Sequence, residues 1–168
     1  MKYTFELVKN KDLSFKNLKK VADLKCQHWK YSIDEQVKWI KENIKDNDSH
    51  LLLLENTSTL IGYMNLVKIV VKSDLGEKAA FGIGNVCISK NVRKKGNGIL
   101  LMQMSIFILN NFESLGILLC KPELNQFYQK SGWFLFNGNT EIGGASFKNS
   151  VFTNNFLNSS NLYLDKSF

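Results

Sequence analysis

An apolar strand that passes through a short basic loop into a helix is the feature that most constrains the fold of this sequence. The loop is SKNVRKKGNG, residues 89–98, which follows Val86-Cys87-Ile88 and precedes the apolar stretch ILLMQMSIFIL. Arg93 stands shortly before Gly96 and Gly98 and is the one arginine among 22 Lys+Arg residues. A strand that leads so directly into a helix is typical of α/β layered domains.

Such a loop can bind an anion. The first amides of a helix have no partner within the helix, and the aligned peptide dipoles place partial positive charge there. Glycines at 96 and 98 let the backbone come close to a ligand, for which phosphate is the natural choice. Arg93 adds a planar two-pronged donor, and Lys94 and Lys95 raise the local potential. The alternative is a solvated loop that binds nothing.

Hydrophobic periodicity predicts four helices. The capping box Ser32-Ile33-Asp34-Glu35 predicts a helix that begins at Ile33 and ends at about Lys45. Two further helices are expected over about residues 14–28 and 98–111. The fourth follows Pro122, and Gly132 is its natural terminator.

Apolar or alternating runs predict the strands. They are TFELVK, SHLLLLEN, LIGYMNLVKIVV, AAFGIGNVCIS, GILLC and WFLFN. The resulting order β-α-α-β-β-β-α-β-α-β is that of an α/β layered domain. The tail from about Gly138 is rich in Asn, Ser and Gly, and its runs SVFTNNF and NLYLD are expected to pair as edge strands.

Length and composition predict a single domain over residues 1–168. The cysteine usage suits a reducing cytoplasm. The net charge of +7 favours anionic ligands and disfavours a polycationic substrate. Three widely spaced cysteines form no disulfide framework, and neither they nor the two histidines have metal-ligand spacing. The N-terminus has no apolar signal core, and the longest apolar run is too short for a bilayer span.

Two motifs together resemble the signature of the GNAT N-acetyltransferases. Arg93-x-x-Gly96-x-Gly98 behind an apolar strand resembles the family's acetyl-CoA motif, Arg/Gln-x-x-Gly-x-Gly/Ala. On the next helix, FYQKSGW at residues 127–133 resembles the family's Phe/Leu-Tyr-x-x-x-Gly-Phe/Trp. The order of elements around both motifs also fits, so the resemblance covers about residues 3–136.

The resemblance implies a GNAT-like, three-layer α/β (α+β) fold with a mixed, strongly curved sheet of six or seven strands and about four helices. The sheet would be splayed open at the acetyl-CoA site, between the strand that ends at Ile88 and the strand from Gly116 to Cys120. Strand backbone would pair with the pantetheine arm, and loop amides would hold the pyrophosphate. The residues expected to bind acetyl-CoA are Val86, Cys87, Ile88, Arg93, Lys94, Lys95, Gly96, Asn97, Gly98 and Asn125.

The implied reaction is direct acetyl transfer. The amine attacks the thioester carbonyl, and a backbone N–H near Cys87 or Ile88 would stabilise the developing oxyanion. Tyr128 matches the position that in many relatives protonates the leaving thiolate, and Asn85 is the second expected catalytic residue. The alternative for Tyr128 is a core aromatic residue beside Phe127.

The sequence does not mark the base that takes the amine proton. His28 follows the first predicted helix and His50 opens a strand, and a lone histidine in such a place is more often structural than catalytic. Cys87 has no readable histidine partner, so we interpret it as a packing residue. Glu35 has its capping role, which leaves Asp34 the freer carboxylate at that helix start.

Within the family, the second motif and the HLLLLENTSTLIGYMNLVKI arrangement look most like the aminoglycoside 2′-N-acetyltransferase branch. That branch usually has an acid just before the strand element at 86–88, where this chain has Gly84 and Asn85. The expected substrate-binding residues are Asp34, Gly84, Asp165 and Phe168 with its terminal carboxylate. The acceptor is expected to be a primary amine of a small molecule, and an aminoglycoside, a smaller amine and a peptide amino group stay open.

Two other interpretations stay open. A catalytically silent relative would bind acyl-CoA without transferring the acyl group. A basic nucleic-acid-binding domain would fit the pI of about 9.3, although no helix interleaves cations with a stacking surface. We therefore expect a small-molecule amine as partner, no nucleic acid, no membrane, no metal, and a monomer or homodimer.

Overall fold

The computed structural model describes residues 2–165 and residue 168. Four α-helices occur among these residues, separated by strands and by short 3₁₀ turns. The α-helices are α1 (Phe15–Cys26), α2 (Ile33–Asn43), α3 (Asn97–Asn111) and α4 (Asn125–Lys130). The strands are β1 (Tyr3–Lys9), β2 (Ser49–Glu55), β3 (Thr59–Ser73), β4 (Gly76–Ile88), β5 (Leu115–Cys120), β6 (Phe134–Phe136), β7 (Asn139–Ile142), β8 (Ala145–Ser146), β9 (Ser150–Thr153) and β10 (Asn161–Leu164).

The four predicted helices are confirmed, and their ends show why local sequence was sufficient to place them. The Ser32 hydroxyl accepts a hydrogen bond from the Glu35 amide at 3.2 Å, and the Glu35 carboxylate accepts from the Ser32 amide at 2.7 Å, which completes the capping box. The Ser14 hydroxyl caps α1 through the Asn17 amide. Gly132 ends α4 with a φ of 90°, in the left-handed region that favours glycine.

The described residues cluster into two compact units. Unit 1 comprises Met1–Val67 and Asn85–Leu101, and unit 2 comprises Lys68–Gly84 and Met102–Phe168. The chain passes from one unit to the other within β3, within β4 and within α3. The expectation of a single domain over residues 1–168 stays a prediction.

Unit 1 contains an antiparallel ladder with two helices. β2 lies between β1 and the first part of β3, and the pairing of β2 with β3 shifts register between Leu53 and Leu54. α1 packs on α2. The apolar face of α1 and both faces of β2 are buried, and burial of such side chains stabilises the unit by about 25 cal/mol per Å² of apolar surface. The buried apolar side chains include Leu18, Val21, Leu24, Ile40, Leu51, Leu52, Leu53, Tyr63 and Met64.

Unit 2 contains a mixed sheet in the order β6-β9-β5-β4-β3-β10-β7-β8. β5 runs parallel to β4, and their register pairs Ala80–Ile83 with Leu115–Leu118. β9 is antiparallel to both β5 and β6, while β10 is antiparallel to β3 and parallel to β7. Parallel and antiparallel neighbours therefore coexist, which confirms the predicted mixed sheet with helices in an α/β arrangement.

The tail differs from the expectation of edge strands. β9 lies between β5 and β6, and β10 lies between β3 and β7, so both are interior strands. The physical reason is burial: Val151, Phe152 and Thr153 in β9 and Leu162 and Leu164 in β10 all lie in the core. With β7 and β8, these strands bring the count among the described residues to ten, against the six or seven expected.

No helix among residues 2–165 combines the length and the apolar composition that crossing a bilayer requires.

Candidate functional site

The predicted anion loop lies in unit 1 and has the geometry that its glycines suggest. α3 begins at Asn97, directly after Gly96, whose φ is 83°. A Cβ placed on Gly96 would meet no atom within 4 Å, so open space lies beside the backbone where the helix starts. Lys94 also has a positive φ of 62°, and the side chains of Lys94 and Lys95 are exposed. These features fit a bound phosphate group.

Two side chains brace this loop through hydrogen bonds to other residues of the chain. The Asn97 amide is 3% exposed, and its Nδ2 donates to the Val92 carbonyl at 3.0 Å. The Arg93 Nη2 donates to His28 Nδ1 at 2.6 Å, and the Arg93 Nε donates to the Ile88 carbonyl at 3.4 Å. Arg93 therefore ties the loop to the end of β4 and to the residue after α1, in addition to any contact with a ligand. Sequence reasoning assigned Arg93 and Asn97 to the ligand alone.

His28 is held as a neutral ring in this arrangement. Because Nδ1 accepts from Arg93, the proton lies on Nε2, which donates to the Ile88 carbonyl at 2.9 Å. Burial lowers the pKa of His28, and the positive charge of Arg93 lowers it further. The ring thus has a structural position, as interpreted from the sequence.

β4 carries a local kink next to the predicted cofactor strand. Asn85 has a φ of 53°, and its Nδ2 donates to Asn65 Oδ1 at 2.8 Å. The Asn85 side-chain oxygen makes no hydrogen bond to any described residue. Gly84 is buried in β4, and Val86 is half-buried. Burial raises the pKa of the Cys87 thiol to about 12, which agrees with a packing residue and not with a nucleophile.

A cavity of about 420 Å³ in unit 1 was not found from the sequence. It is lined by Lys25, Trp29, Tyr31, Glu35, Gln36, Lys38, Trp39, Glu42 and Asn85. The floor is unusual because Lys25 is only 2% exposed and its ammonium lies 4.0 Å from the centre of the Trp39 ring and 5.7 Å from that of Trp29. Burial lowers the pKa of Lys25 to about 8, against partial opposition from Cys87 and Cys26.

A signal for this cavity was present in the sequence. Lys25 continues the buried stripe of α1 formed by Leu18, Val21 and Ala22, so its position on the apolar face is readable from helical spacing. A lysine on an apolar helix face is rarely buried without a reason. The same spacing predicts the helix over about residues 14–28, and Lys25 is its next position on the buried face.

In unit 2, Tyr128 lies on α4 with its ring packed 4.9 Å from Phe127 and 5.6 Å from Phe152, centre to centre. Its hydroxyl makes no hydrogen bond to any described residue. Burial raises the pKa of the Tyr128 phenol well above its ordinary value, and Cys120 adds to that effect. A phenol with so high a pKa is a weaker acid than the sequence suggested, so it is better suited to donate a hydrogen bond than to give up its proton.

The remaining predicted site residues occupy several places. Asn125 opens α4, where its Oδ1 lies 3.9 Å from the Cys120 Sγ. Asp34 is exposed in the first turn of α2 and does not line the cavity, whereas its neighbour Glu35 does. Asp165 is exposed after β10, and the ring of Phe168 packs onto Gly82 of β4. Asp34 belongs to unit 1, whereas Asp165 and Phe168 belong to unit 2.

Neither histidine is free to act as a base. His50 Nδ1 lies 2.9 Å from the Tyr63 hydroxyl, and its Nε2 lies 2.9 Å from Asn10 Oδ1. Burial lowers the pKa of His50 to about 4, with Asp48 opposing and Lys25 adding to the effect. Within residues 2–165, no group of three or more His, Cys, Asp or Glu side chains could hold a metal ion.

A second cavity of about 420 Å³ lies in unit 2, between β6 and the segment that precedes β10. Its lining combines apolar side chains, among them Phe134, Phe136 and Phe156, with neutral polar residues of the tail, and no charged side chain is among them. The cavity of unit 1 is the stronger candidate for a ligand because it adds the buried side chains of Lys25 and Gln36 to its aromatic walls.

The fold defined by these elements is that of the GNAT N-acetyltransferases. The chain superimposes on the GNAT family N-acetyltransferase YhbS of Escherichia coli, solved in complex with CoA, with a TM-score of 0.66 and 13% identity over 98% of this chain and 90% of that one. It matches an acyl-CoA N-acyltransferase of Pseudomonas aeruginosa with a TM-score of 0.64 and 15% identity, over 90% and 99% of the two chains. It matches ElaA of Escherichia coli with a TM-score of 0.62 and 18% identity, over 90% and 97%.

The sequence itself matches no family model. No curated protein is significantly similar to it. The predicted GNAT-like fold is therefore confirmed by structure, while the aminoglycoside 2′-N-acetyltransferase branch is not confirmed.

Proposed function

We propose that this protein is an acetyl-CoA-dependent N-acetyltransferase that transfers an acetyl group to a primary amine of a small molecule. The observation that carries the proposal is the open space beside Gly96 at the start of α3, on a fold shared with N-acetyltransferases. An anion site at a helix start after an apolar strand is the element that a pyrophosphate-bearing cofactor needs.

The residues that would hold acetyl-CoA have distinct tasks. The free amides at the start of α3 and the backbone at Gly96 would bind the pyrophosphate, with Lys94 and Lys95 supplying positive charge. Arg93 and Asn97 would keep the loop in this conformation through their bonds to His28, Ile88 and Val92. Backbone groups of Val86, Cys87 and Ile88 would align the pantetheine arm.

When bound, acetyl-CoA supplies an activated acetyl thioester. Backbone amides near Cys87 would stabilise negative charge on the carbonyl oxygen, and such donors typically contribute about 3–4 kcal/mol. The neutral Tyr128 hydroxyl would donate a hydrogen bond to the departing sulfur, which its raised pKa favours because the phenol stays protonated. The side-chain oxygen of Asn85 is available to accept a hydrogen bond from the attacking amine.

The proton of the acceptor amine would leave through the cavity of unit 1. Glu35 and Glu42 are the carboxylates that line it. Two hydrogen bonds from Ser32 occupy the Glu35 carboxylate and lower its pKa. Glu42, which lies 3.9 Å from the exposed Lys38 ammonium, is therefore the carboxylate proposed to take the proton. An aminoglycoside acceptor is disfavoured, because this polycation would have to approach the buried ammonium of Lys25.

Two measurements test this function. Acetyl-CoA and CoA at millimolar concentration should raise the melting temperature, because a ligand present at 100 times its Kd stabilises the folded state by about 2.7 kcal/mol. Release of CoA thiol should then be detected with at least one member of a panel of amino acids, peptides, polyamines, simple amines and aminoglycosides. No thermal shift with either compound would exclude the proposal.

A shift without thiol release from any amine would favour the silent acyl-CoA-binding protein instead. A thermal shift with DNA or RNA at 150 mM salt would favour the nucleic-acid alternative, and none is expected. We also infer a cytoplasmic location from three free cysteines, Cys26, Cys87 and Cys120, of which two are buried.

A further inference from the structure

Two buried polar side chains in the cavity of unit 1 have no hydrogen-bond partner among the described residues. Lys25 on α1 is 2% exposed and Gln36 on α2 is 4% exposed. Neither the Lys25 ammonium nor the Gln36 side-chain amide makes a hydrogen bond or ion pair with any described residue. Buried ammonium and amide groups normally bind an acceptor, because leaving one unsatisfied is costly. Both line the same cavity, so they lack a partner at the place where a ligand would lie.

The walls of the cavity are aromatic. Trp29 follows α1 and Trp39 lies on α2, and the Lys25 ammonium lies within 6 Å of both ring centres. Tyr31 lies between the two helices in the sequence and is 60% exposed. Aromatic faces bind flat or apolar groups well, and a cavity of about 420 Å³ is large enough for a small molecule with such a body.

The charges favour an anion at the floor of the cavity. Lys38 and Glu42 lie 3.9 Å apart and neutralise each other at the exposed rim. Glu35 is engaged by Ser32. The Glu35 carboxylate keeps its charge, but it is exposed to solvent, as are Lys38 and Glu42. Lys25 is therefore the one buried charge among the lining residues, and a carboxylate would satisfy both Lys25 and the Gln36 N–H donors.

We propose that this cavity binds the acceptor through a carboxylate, so that the preferred acceptor is an amine that also carries a carboxylate and an aromatic or apolar body. Lys25 and Gln36 bind the carboxylate, Trp29 and Trp39 pack against the body, and Asn85 marks the end of the cavity where β4 begins its last four residues. The inference rests on the proposed function for the identity of the acceptor, but the binding of the carboxylate does not depend on acetyl-CoA.

The test uses three matched probes without acetyl-CoA. They are 3-phenylpropanoate, 3-phenylpropan-1-ol and 3-phenylpropylamine, which share a body and differ in charge. Binding is followed by tryptophan fluorescence, since two of the three tryptophans line the cavity. At pH 7 we expect the carboxylate to bind about tenfold to a hundredfold more tightly than the alcohol, the range for hydrogen bonds to charged groups. The amine should bind more weakly than the alcohol.

The variants separate Lys25 from general charge. Lys25→Met should abolish the preference for the carboxylate and leave alcohol binding within about threefold. Gln36→Leu should reduce the preference by about fivefold to tenfold. Lys16→Met is the matched control, because Lys16 lies exposed on the same helix, and it should behave like the unmodified protein. Unchanged carboxylate binding in a folded Lys25→Met variant, or stronger binding of the amine probe, would overturn the proposal.

A pH series tests the idea without any substitution. Carboxylate affinity should fall as pH rises above about 8, where Lys25 loses its charge, while alcohol affinity stays flat. The titratable and charged groups around Lys25 are Cys26 on its own helix, Cys87 on β4, His50 on β2, and Glu35, Lys38, Glu42 and Tyr31 around the cavity. Burial keeps the pKa of Cys87 at about 12 and that of His50 at about 4, so neither changes charge between pH 6 and pH 10.

An affinity that does not change between pH 7 and pH 9.5 would contradict the proposal. If Lys25 were instead the base that deprotonates the acceptor, Lys25→Met would lower kcat for all amines equally and would not change discrimination among the probes, which also overturns it. The outcome is separable from the proposed function: loss of the CoA thermal shift would exclude the acetyltransferase, while probe binding alone decides the carboxylate site.

Discussion

The loop of residues 89–98 and the cavity of unit 1 satisfy their polar groups in opposite ways. In the loop, the side chains of Arg93 and Asn97 are both bonded to the protein itself, and the backbone is left to bind a ligand. In the cavity, Lys25 and Gln36 are buried and have no hydrogen-bond partner among the described residues. The first region satisfies its polar side chains without a ligand, whereas the second presents polar side chains without a hydrogen-bond partner to its cavity.

The difference has a consequence for specificity. A site built from braced backbone suits a common chemical group such as pyrophosphate, because its donors are backbone amides at a helix start. A site built from unsatisfied side chains discriminates among ligands, because the wrong ligand leaves the buried groups unpaired. We therefore expect substitutions in the loop to affect the cofactor and substitutions in the cavity to affect the choice of acceptor.

The largest effect should come from filling the space beside Gly96. Gly96→Glu places a carboxylate where the pyrophosphate would bind, so CoA affinity should fall by at least about a hundredfold, as expected for a like charge at close range. The thermal shift by CoA measures this. Gly144→Glu is the matched control, because Gly144 has a φ of 80° and also has open space at its Cβ. Both variants carry the same backbone strain, and equal loss of CoA binding in both would contradict the assignment.

Lys25→Met should make the protein more stable at neutral pH, which would show that the buried Lys25 ammonium destabilises the folded state. Because burial lowers the pKa of Lys25 from 10.5 to about 8, the unfolded chain binds more protons than the folded one between these values. The stability of the unmodified protein relative to Lys25→Met should therefore rise as pH increases from 8 to 10.5. We expect the variant to be about 2–4 °C more stable at pH 7, the shift for ~1 kcal/mol in a protein of this size.

Calorimetry at pH 7 and at pH 10 measures the two temperatures, and Lys16→Met again serves as the exposed control. A constant difference between the unmodified protein and Lys25→Met across this range would mean that Lys25 is not buried as a charged group.

Arg93→Lys tests whether Arg93 supports CoA binding by bracing the loop or by its positive charge. Lysine keeps the charge but loses the fork that reaches both His28 and the Ile88 carbonyl, so CoA affinity should fall by about tenfold. His28→Gln, which leaves the guanidinium in place, should give part of the same loss if bracing matters. Full CoA affinity in Arg93→Lys would show that positive charge alone is sufficient at this position.

The smallest effect is expected from Asn97→Ala. This change removes the bond from Asn97 to the Val92 carbonyl and leaves that carbonyl unpaired, at a cost of about 1 kcal/mol. CoA affinity should weaken a few-fold, and carboxylate-probe binding in the cavity should not change. Isothermal titration with CoA and the fluorescence titration compare the two regions in one variant, and equal losses in both would show that the loop and the cavity do not act separately.

The loop could be predicted from the sequence because its determinants are local. The strand, the glycines and the helix start follow one another within residues 86–98, and the capping box of α2 is equally local. The cavity could not, because its residues come from α1, from the segment after it, from α2 and from β4, up to 60 residues apart. Only the position of Lys25 on the apolar face of α1 was readable.

The tail shows the same limit. Its composition, rich in Asn, Ser and Gly, is typical of loops, yet β9 and β10 are interior strands. Pairing between strands distant in the chain depends on which edges are available, and a short segment does not contain that information. The raised pKa of the Tyr128 phenol could not be predicted from the sequence either, because it depends on burial, and Phe152 of the distant strand β9 packs against the ring.

The interior position of β9 and β10 also affects the order in which strands can pair while the chain is being synthesised. In unit 1, β1 and β2 can pair with the first part of β3 once about 70 residues have been made. In unit 2, one edge of β5 stays unpaired until β9 is made, 30 residues later, and one edge of β3 stays unpaired until β10 is made, about 90 residues later. An unpaired strand edge is a template for pairing with another chain. The nascent protein should therefore depend on prompt completion of translation, and pausing of the ribosome before residue 150 should increase its aggregation.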